Sequence, residues 1–121
     1  MRRAVSLILD VACVLAFVAL GRHTHHHGDS LAGIWKTSWP FLAGLAAGLA
    51  AARGWRNPMA VAPAGLGAWL GAAGLGMVVR VLAGQGTAVA FIFVALAFLG
   101  LFILGWRIVA RIVLIQLRAP G

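Results

Sequence analysis

The chain alternates between long apolar runs and short polar segments rich in glycine. The clearest run, residues 88–105, holds eighteen residues without a charge and is followed by Trp106 and Arg107. At 1.5 Å per residue, a helix of this length nearly crosses the roughly 30 Å hydrocarbon core of a bilayer. Similar runs predict helices over about 4–21, 39–52 and 59–79, before a last one over 88–106. The pattern predicts an all-α polytopic membrane protein with four transmembrane helices in a single domain over 1–121.

Polar residues inside and between the runs set the predicted helix ends. The basic start and apolar run 4–21 fit either an export signal or a retained helix, and Asp10 within the run favours the retained helix. Thr37 and Ser38 precede Trp39 and Pro40, a pattern typical of a helix start because proline in the first turn loses no internal hydrogen bond. The second helix is therefore predicted to begin near Trp39.

Composition excludes a water-soluble fold. The chain is 63% hydrophobic and 10% charged, against about 25% charged residues in ordinary soluble domains. Ten Lys and Arg residues face two acidic ones, but most of them flank apolar runs, so we interpret them as lipid anchors rather than as a nucleic-acid surface. The sequence shows no nucleophile–base pair, phosphate loop or HExxH motif, and predicts neither an enzyme nor a cofactor. Cys13 lies in an apolar run and is interpreted as a structural thiol.

Asp10 is the acidic residue that falls within a predicted span. A carboxylate in lipid is costly unless it is paired, protonated or exposed to water, so it marks a site by default. Its shallow position allows an ion pair with Arg107 or Arg56, and the alternative is a role in proton or ion coupling. The sequence favours the structural ion pair of Asp10 with Arg107.

The segment 21–30 is polar and predicts a loop that contains four histidines. His23, His25 and His27 can share a face, which makes them weak candidate metal ligands, but clustered histidines lack the spaced pattern of a defined metal site. A polar, pH-sensitive loop is favoured and no metal is predicted. Arg22, His25 and Arg80 form a candidate external mouth for anions, or the arginines reach lipid headgroups.

Small residues predict where the helices pack. Gly44 and Gly48 form a GxxxG motif, while Gly67, Gly71 and Gly74 continue a stripe along the third helix. Such stripes allow close backbone approach within one chain or across a dimer. Gly54-Trp55-Arg56 and Gly105-Trp106-Arg107 form a faint repeat, which either two related helical hairpins or chance would produce.

An ordered set of motifs resembles a domain-of-unknown-function family of small four-span prokaryotic membrane proteins. The motifs are GRxxHxxG from Gly21, TxWPF from Thr37, GMxxR from Gly76 and GWR from Gly105. The resemblance implies a four-helix membrane protein and carries no activity over to this chain. The motif positions it implies are Arg22, His25, Trp39, Pro40, Arg80 and Arg107. His23, His26 and His27 fall outside the motifs, which weakens the metal interpretation.

These features favour a homo-oligomeric protein that passes or senses a small solute or ion in the cytoplasmic membrane. Four short helices rich in glycine enclose little volume alone, which is why the expected partners are the lipid bilayer and further copies of the chain. The alternative is an accessory or scaffold subunit that packs against another membrane protein through its glycine faces. No nucleic-acid partner is expected.

The distribution of basic residues predicts that both termini are cytoplasmic. Four spans place both termini on one side, together with the turn after the second helix. Arg107, Arg111 and Arg118 share a helical face there, which fits anionic lipid or an ordinary anchor. This side carries seven basic residues and the other carries three, namely Arg2, Arg3, Arg53, Arg56, Arg107, Arg111 and Arg118 against Arg22, Lys36 and Arg80.

Cysteine labelling tests this orientation. In a Cys13→Ala background, we expect Ser30→Cys to react with an impermeant maleimide from outside the cell, and Gly121→Cys to react only after the membrane is opened. Labelling of Ser30→Cys solely from the cytoplasmic face would reverse the orientation.

Overall fold

The chain folds into four helices in the part that the structure describes. The computed structural model describes residues 2–24, 31–85 and 89–118, with residues 22–24 described as backbone only. The helices are α1 (Arg2–Thr24), α2 (Leu31–Ala51), α3 (Val61–Leu82) and α4 (Val89–Arg118). Within those ranges there is no strand, which confirms the predicted all-α class.

Three of these helices are long and apolar enough to cross a bilayer. They are Arg2–Gly21 in α1, Val61–Leu82 and Val89–Arg118. The remaining helix, α2, has 21 residues, but its first half carries Lys36, Thr37 and Ser38 and is correspondingly more polar. The structure thus shows three helices of transmembrane character, one fewer than the sequence predicted.

The start of α2 differs from the prediction. The helix begins at Leu31 rather than near Trp39, so Pro40 lies inside the helix and not in its first turn. Proline lacks the N–H that would bond the carbonyl four residues earlier, which here belongs to Lys36. The side-chain amide Nε2 of Gln85 donates to that carbonyl over 3.2 Å. The helix continues through Pro40 because a residue beyond the end of α3 supplies the missing hydrogen bond.

The other helices depart less from their predicted bounds. The first turn of α3, Val61–Gly65, is an irregular π-helical turn in which Ala62 is extended with φ −129° and ψ 137°. The predicted span 88–106 and its predicted basic helical extension 107–118 together form α4, one helix of 30 residues. At 1.5 Å per residue α4 is about 45 Å long.

Helices α2 and α3 meet backbone to backbone. A Cβ atom added at Gly44 would collide with the carbonyl oxygen of Gly71, and one added at Gly48 would collide with that of Gly67. A Cβ atom on Gly71 would lie 2.7 Å from the Cα atom of Gly48. Only glycine leaves room for this approach, so these four residues pack helices together within one chain.

Gly74 does not join this contact, contrary to the stripe drawn from the sequence. It is exposed, and a Cβ atom there would meet nothing within 4 Å. The backbone of α3 makes a π-helical turn over Gly71–Leu75, which adds a residue to the turn and rotates the following face. Gly76 takes the place instead, with its Cβ position 2.9 Å from Cδ1 of Phe41.

The two Gly-Trp-Arg motifs have different structures. Trp55 and Arg56 lie in the exposed turn after α2, whereas Trp106 and Arg107 lie inside α4, where Arg107 is buried. These motifs therefore do not relate two equivalent hairpins.

Aromatic residues fill the core at the end where α2 and α4 begin, which we call the loop end. The ring of Phe17 lies 5.5 Å from that of Phe41, edge to face, and 5.6 Å from that of Phe91. Farther along the bundle the core continues through Leu45, Leu99 and other fully buried aliphatic side chains. The opposite end, where α1 begins and α4 ends, we call the terminal end.

The glycine contact predicts a large effect of added side chains. Gly48→Leu or Gly71→Leu should lower the free energy of unfolding by about 3 kcal/mol or more, because leucine would force apart two backbones that touch. The measurement is unfolding of purified protein in mixed detergent, followed by circular dichroism. Gly74→Leu is the matched control and should unfold like the wild type. Equal stability of all three variants would contradict the contact.

Candidate functional site

A buried ion pair joins the first and last helices near the terminal end. Asp10 lies on α1 and Arg107 on α4, and both residues are 0% exposed. Arg107 Nη1 donates to Asp10 Oδ1 over 2.7 Å, and Nη2 donates to Oδ2 over 2.8 Å. This bidentate geometry matches the planar guanidinium to both carboxylate oxygens. The structure thus brings together the two residues that the sequence analysis paired, while Arg56 is exposed in the turn after α2.

Neighbouring groups complete the hydrogen bonding of the pair. Trp106 Nε1 donates to Asp10 Oδ1 over 2.9 Å. Arg107 Nε donates to the carbonyl oxygen of Pro58 over 3.1 Å, and Nη1 also donates to that of Ile103 over 3.2 Å. Four of the five N–H donors of Arg107 are thereby used, counting one on Nε, two on Nη1 and one on Nη2. Such saturation is what makes a buried charge pair tolerable at low dielectric.

The turn between α2 and α3 is shaped to reach this pair. Arg53, two residues after the end of α2, has φ 52°, a left-handed conformation more often adopted by glycine, and the N–H of Gly54 bonds back to the carbonyl of Leu49 over 2.8 Å. The chain then passes Trp55, whose carbonyl accepts a 2.8 Å hydrogen bond from Arg3 Nε. The turn thereby contacts the start of α1 at Trp55 and the arginine of α4 at Pro58.

A pocket of about 300 Å³ opens beside the ion pair, between α1, the end of α2 and the turn. Its walls are apolar apart from Arg3, Ser6 and the ion pair. The lining residues on the α2 side and the turn are Ala46, Leu49, Ala50, Gly54, Trp55 and Pro58, and those of α1 and α4 are Arg3, Ser6, Leu7, Asp10 and Arg107. This volume is at the lower end of the range for small-molecule sites.

Ser6 is a polar residue of this pocket that sequence reasoning missed. It is 2% exposed, and its Oγ has no hydrogen-bond partner among the described residues. A buried hydroxyl without a partner costs about 1–3 kcal/mol, so Ser6 is a polar group of this wall whose hydrogen bonding the described residues leave incomplete. The available signal was helical spacing, since Ser6 precedes Asp10 by four residues and so shares its face.

The candidate external mouth is described only in part. Arg80 Nη1 donates to Gln85 Oε1 over 3.1 Å, and its guanidinium carbon lies 4.9 Å from the Phe91 ring centre and 5.7 Å from that of Phe41. Arg80 is therefore half-buried against the aromatic core of the loop end. His25 and the side chain of Arg22 lie outside the described residues.

The weak candidate metal ligands cannot be placed. His25 and His27, with His26, lie outside the described residues, as does the side chain of His23. In the remaining described chain, no three His, Cys, Asp or Glu side chains are close enough to share a metal ion.

The basic helical face predicted for 107–118 contains two of its three predicted arginines. Arg111 and Arg118 are exposed, but Arg107 is buried in its pair with Asp10. Because its guanidinium is bound by Asp10 and two carbonyl oxygens, Arg107 does not belong to a lipid-facing basic stripe.

Fold and site together define an all-α protein with helices of transmembrane length, joined by a buried aspartate–arginine pair. The chain belongs to the family described as Protein of unknown function (DUF3054), whose model matches residues 7–110. This confirms the predicted membership of an uncharacterised family. The matched region includes Asp10 and Arg107. Comparisons with curated proteins and with solved structures gave no match.

The ion pair predicts strong effects of single substitutions. Asp10→Asn or Arg107→Gln should each destabilise the protein by about 3–5 kcal/mol, because each leaves a buried charge without its oppositely charged partner. Exchanging the two residues should restore part of this loss, and the exposed Arg111→Gln is the matched control. Unfolding in mixed detergent measures all four variants.

A coupling role for Asp10 would give a different result. If Asp10→Asn kept the thermal stability of the wild type but abolished a proton-linked flux in liposomes, the carboxylate would be a proton-coupling group and the structural interpretation would be wrong.

Proposed function

We propose that the chain is a multi-pass protein of the cytoplasmic membrane, with α2 as a fourth span and both termini in the cytoplasm. At 1.5 Å per residue, the 21 residues of α2 extend about 31 Å, enough to cross the hydrocarbon core. Two contacts favour a position of α2 inside the bundle despite its polar first half. Gln85 donates to the backbone carbonyl of Lys36, and the second half packs closely on α3. The seven-to-three excess of basic residues supports the orientation.

We further propose that the protein binds a small solute at the terminal end and passes it across the membrane. The observation that carries this proposal is the 300 Å³ pocket, which leads from the exposed Arg3 to the buried ion pair and holds the unpaired hydroxyl of Ser6. A site with apolar walls and a few convergent polar groups is typical of small-molecule binding. We propose no enzymatic role, because the pocket brings together no nucleophile and base.

Passage requires a second conformation. Beyond Asp10 the core is closed by fully buried side chains, including Val14, Leu99 and Ile103. The ion pair lies at the inner end of the pocket, so its separation would connect the pocket with the space between α1 and α4. The state described by the structure is then the closed one, with the pocket accessible from the terminal side.

A homo-oligomer is part of this proposal. Gly44 and Gly48 are used within the chain, so a second copy would need another surface. Ala43, Ala47 and Ala51 form an exposed small-residue face of α2 at helical spacing, and they allow close approach of another helix.

The second candidate function is an accessory subunit that transports nothing. The closed core and the saturated ion pair favour it, because both are what a static structural element requires. In this case the alanine face of α2 would contact a larger membrane protein.

Proteoliposome swelling separates the two functions. Stopped-flow light scattering would follow vesicles challenged with gradients of glycerol, urea, sodium lactate and potassium chloride. Transport predicts that at least one solute crosses faster than in protein-free vesicles, and that Ala46→Leu, which fills the pocket, slows it at least fivefold. Ala97→Leu, exposed on α4 and outside both the pocket and the alanine face of α2, is the matched control.

Rates equal to those of empty vesicles for all four solutes would reject transport of them. Native mass determination after mild extraction then supplies the second criterion. A closed homo-oligomer agrees with the transport proposal, and a stoichiometric partner protein agrees with the accessory role.

A further inference from the structure

We infer that the ligand of the terminal-end pocket is an anionic amphiphile, with its acidic head on Arg3 and its apolar chain between α1 and α2. This inference rests on the proposed function, since it names the class of molecule that the same pocket takes.

The pocket is elongated along α1 and has different chemical groups at its two ends. Arg3, Ser6 and Asp10 follow one face of α1, and the separation of seven positions between the first and the last corresponds to about 10 Å along the helix. Ala46 and Ala50 lie opposite on α2. The site is thus an elongated groove with an exposed cation at the outer end and a neutral ion pair at the inner end.

Arg3 provides a fixed positive charge at the outer end. Its Nε donates to the carbonyl of Trp55, which holds the guanidinium at the groove, while its terminal nitrogens bond to no described residue. A planar guanidinium with its four terminal N–H donors free binds a carboxylate, sulfate or phosphate well. The charge of Asp10 is compensated by Arg107, so no carboxylate lining the groove offsets the attraction of Arg3 for anions.

The walls behind Arg3 suit a hydrocarbon chain. Leu7 and Leu49 provide apolar surface, and the small side chains of Ala46 and Ala50 leave the space that forms the groove. Both alanines are exposed, so the wall that they form on α2 is accessible to a chain.

Ser6 adds a hydrogen bond one helical turn deeper than Arg3. Three residues correspond to about 4.5 Å of helix rise, so the hydroxyl lies where the linking oxygen of an acidic head group would follow. Its lack of a partner is then explained by the ligand, since Ser6 Oγ is buried and donates to no protein atom that the structure describes.

The inner end sets the orientation. A charged head placed beside Asp10 and Arg107 would have to separate the pair or remain desolvated without a counter-ion, and both are costly. A cationic head is disfavoured at the outer end by Arg3. An anionic head bound to Arg3 at the outer end avoids both costs, and the apolar chain then lies at the inner end beside the intact ion pair.

Binding to the intact protein in phosphatidylcholine nanodiscs tests this assignment. Decyl sulfate and decyltrimethylammonium have the same chain and opposite fixed charges, and sodium sulfate supplies the anion without the chain. Quenching and shift of tryptophan fluorescence would report binding near Trp55, with Trp55→Phe to identify the signal and empty nanodiscs to subtract partitioning.

We expect saturable binding of decyl sulfate, at least tenfold tighter than that of decyltrimethylammonium, and none of sodium sulfate. Arg3→Gln should weaken it about fivefold, which corresponds to about 1 kcal/mol, whereas the exposed Arg111→Gln should not. Ala50→Leu should abolish binding, while Ala97→Leu, exposed on α4 and outside the groove, should retain it. If Ala50→Leu fails to fold, Ala46→Leu serves the same purpose.

Equal binding of both amphiphiles, or binding that Arg3→Gln leaves unchanged, would overturn the inference. Binding of sodium sulfate as tightly as decyl sulfate would also overturn it, because the groove would then have no role. Decyl sulfate binding with the expected variant pattern but without solute flux would reject transport and leave the ligand assignment in place.

Discussion

The bidentate contact between Asp10 and Arg107 is the interaction on which the terminal half of the molecule depends. It is the place where α1, α4 and the turn after α2 meet, because Arg107 also donates to the carbonyl of Pro58. A charge pair at this depth is tolerable only when nearly every donor and acceptor is used. The shape of the turn, the position of Trp106 and the inner end of the pocket all follow from that requirement.

Each end of the bundle contains an arginine, buried at the terminal end and half-buried at the loop end, and the two are bound differently. At the terminal end, a carboxylate and two carbonyl oxygens bind Arg107. At the loop end, Arg80 lies against aromatic rings and bonds to the side chain of Gln85. The first arrangement compensates the charge with a carboxylate, and the second places the guanidinium over aromatic faces, which attract a cation.

Sequence alone predicted the helical class and brought Asp10 and Arg107 to the same depth, because apolar run length and helix rise are local properties. It placed the start of α2 wrongly, because a hydroxyl residue before Pro40 is locally typical of a first helical turn, whereas the helix begins at Leu31 and Gln85 from a distant segment bonds to the carbonyl that Pro40 leaves free. Gly74 was assigned to the packing face because a π-helical turn cannot be read from spacing. The pocket escaped prediction because its shape depends on the turn after α2.

The glycine contact between α2 and α3 restricts how the molecule can move. Where carbonyl oxygens occupy the space of missing side chains, neither helix can slide or rotate on the other without a collision. These two helices must behave as one rigid body. Any hinge or shear motion is left to α1 and α4, the helices that the ion pair ties together. The ion pair of Asp10 and Arg107 therefore restrains the motion of α1 relative to α4. The hydrogen bond from Arg107 to the carbonyl of Pro58 connects both helices to the turn between α2 and α3.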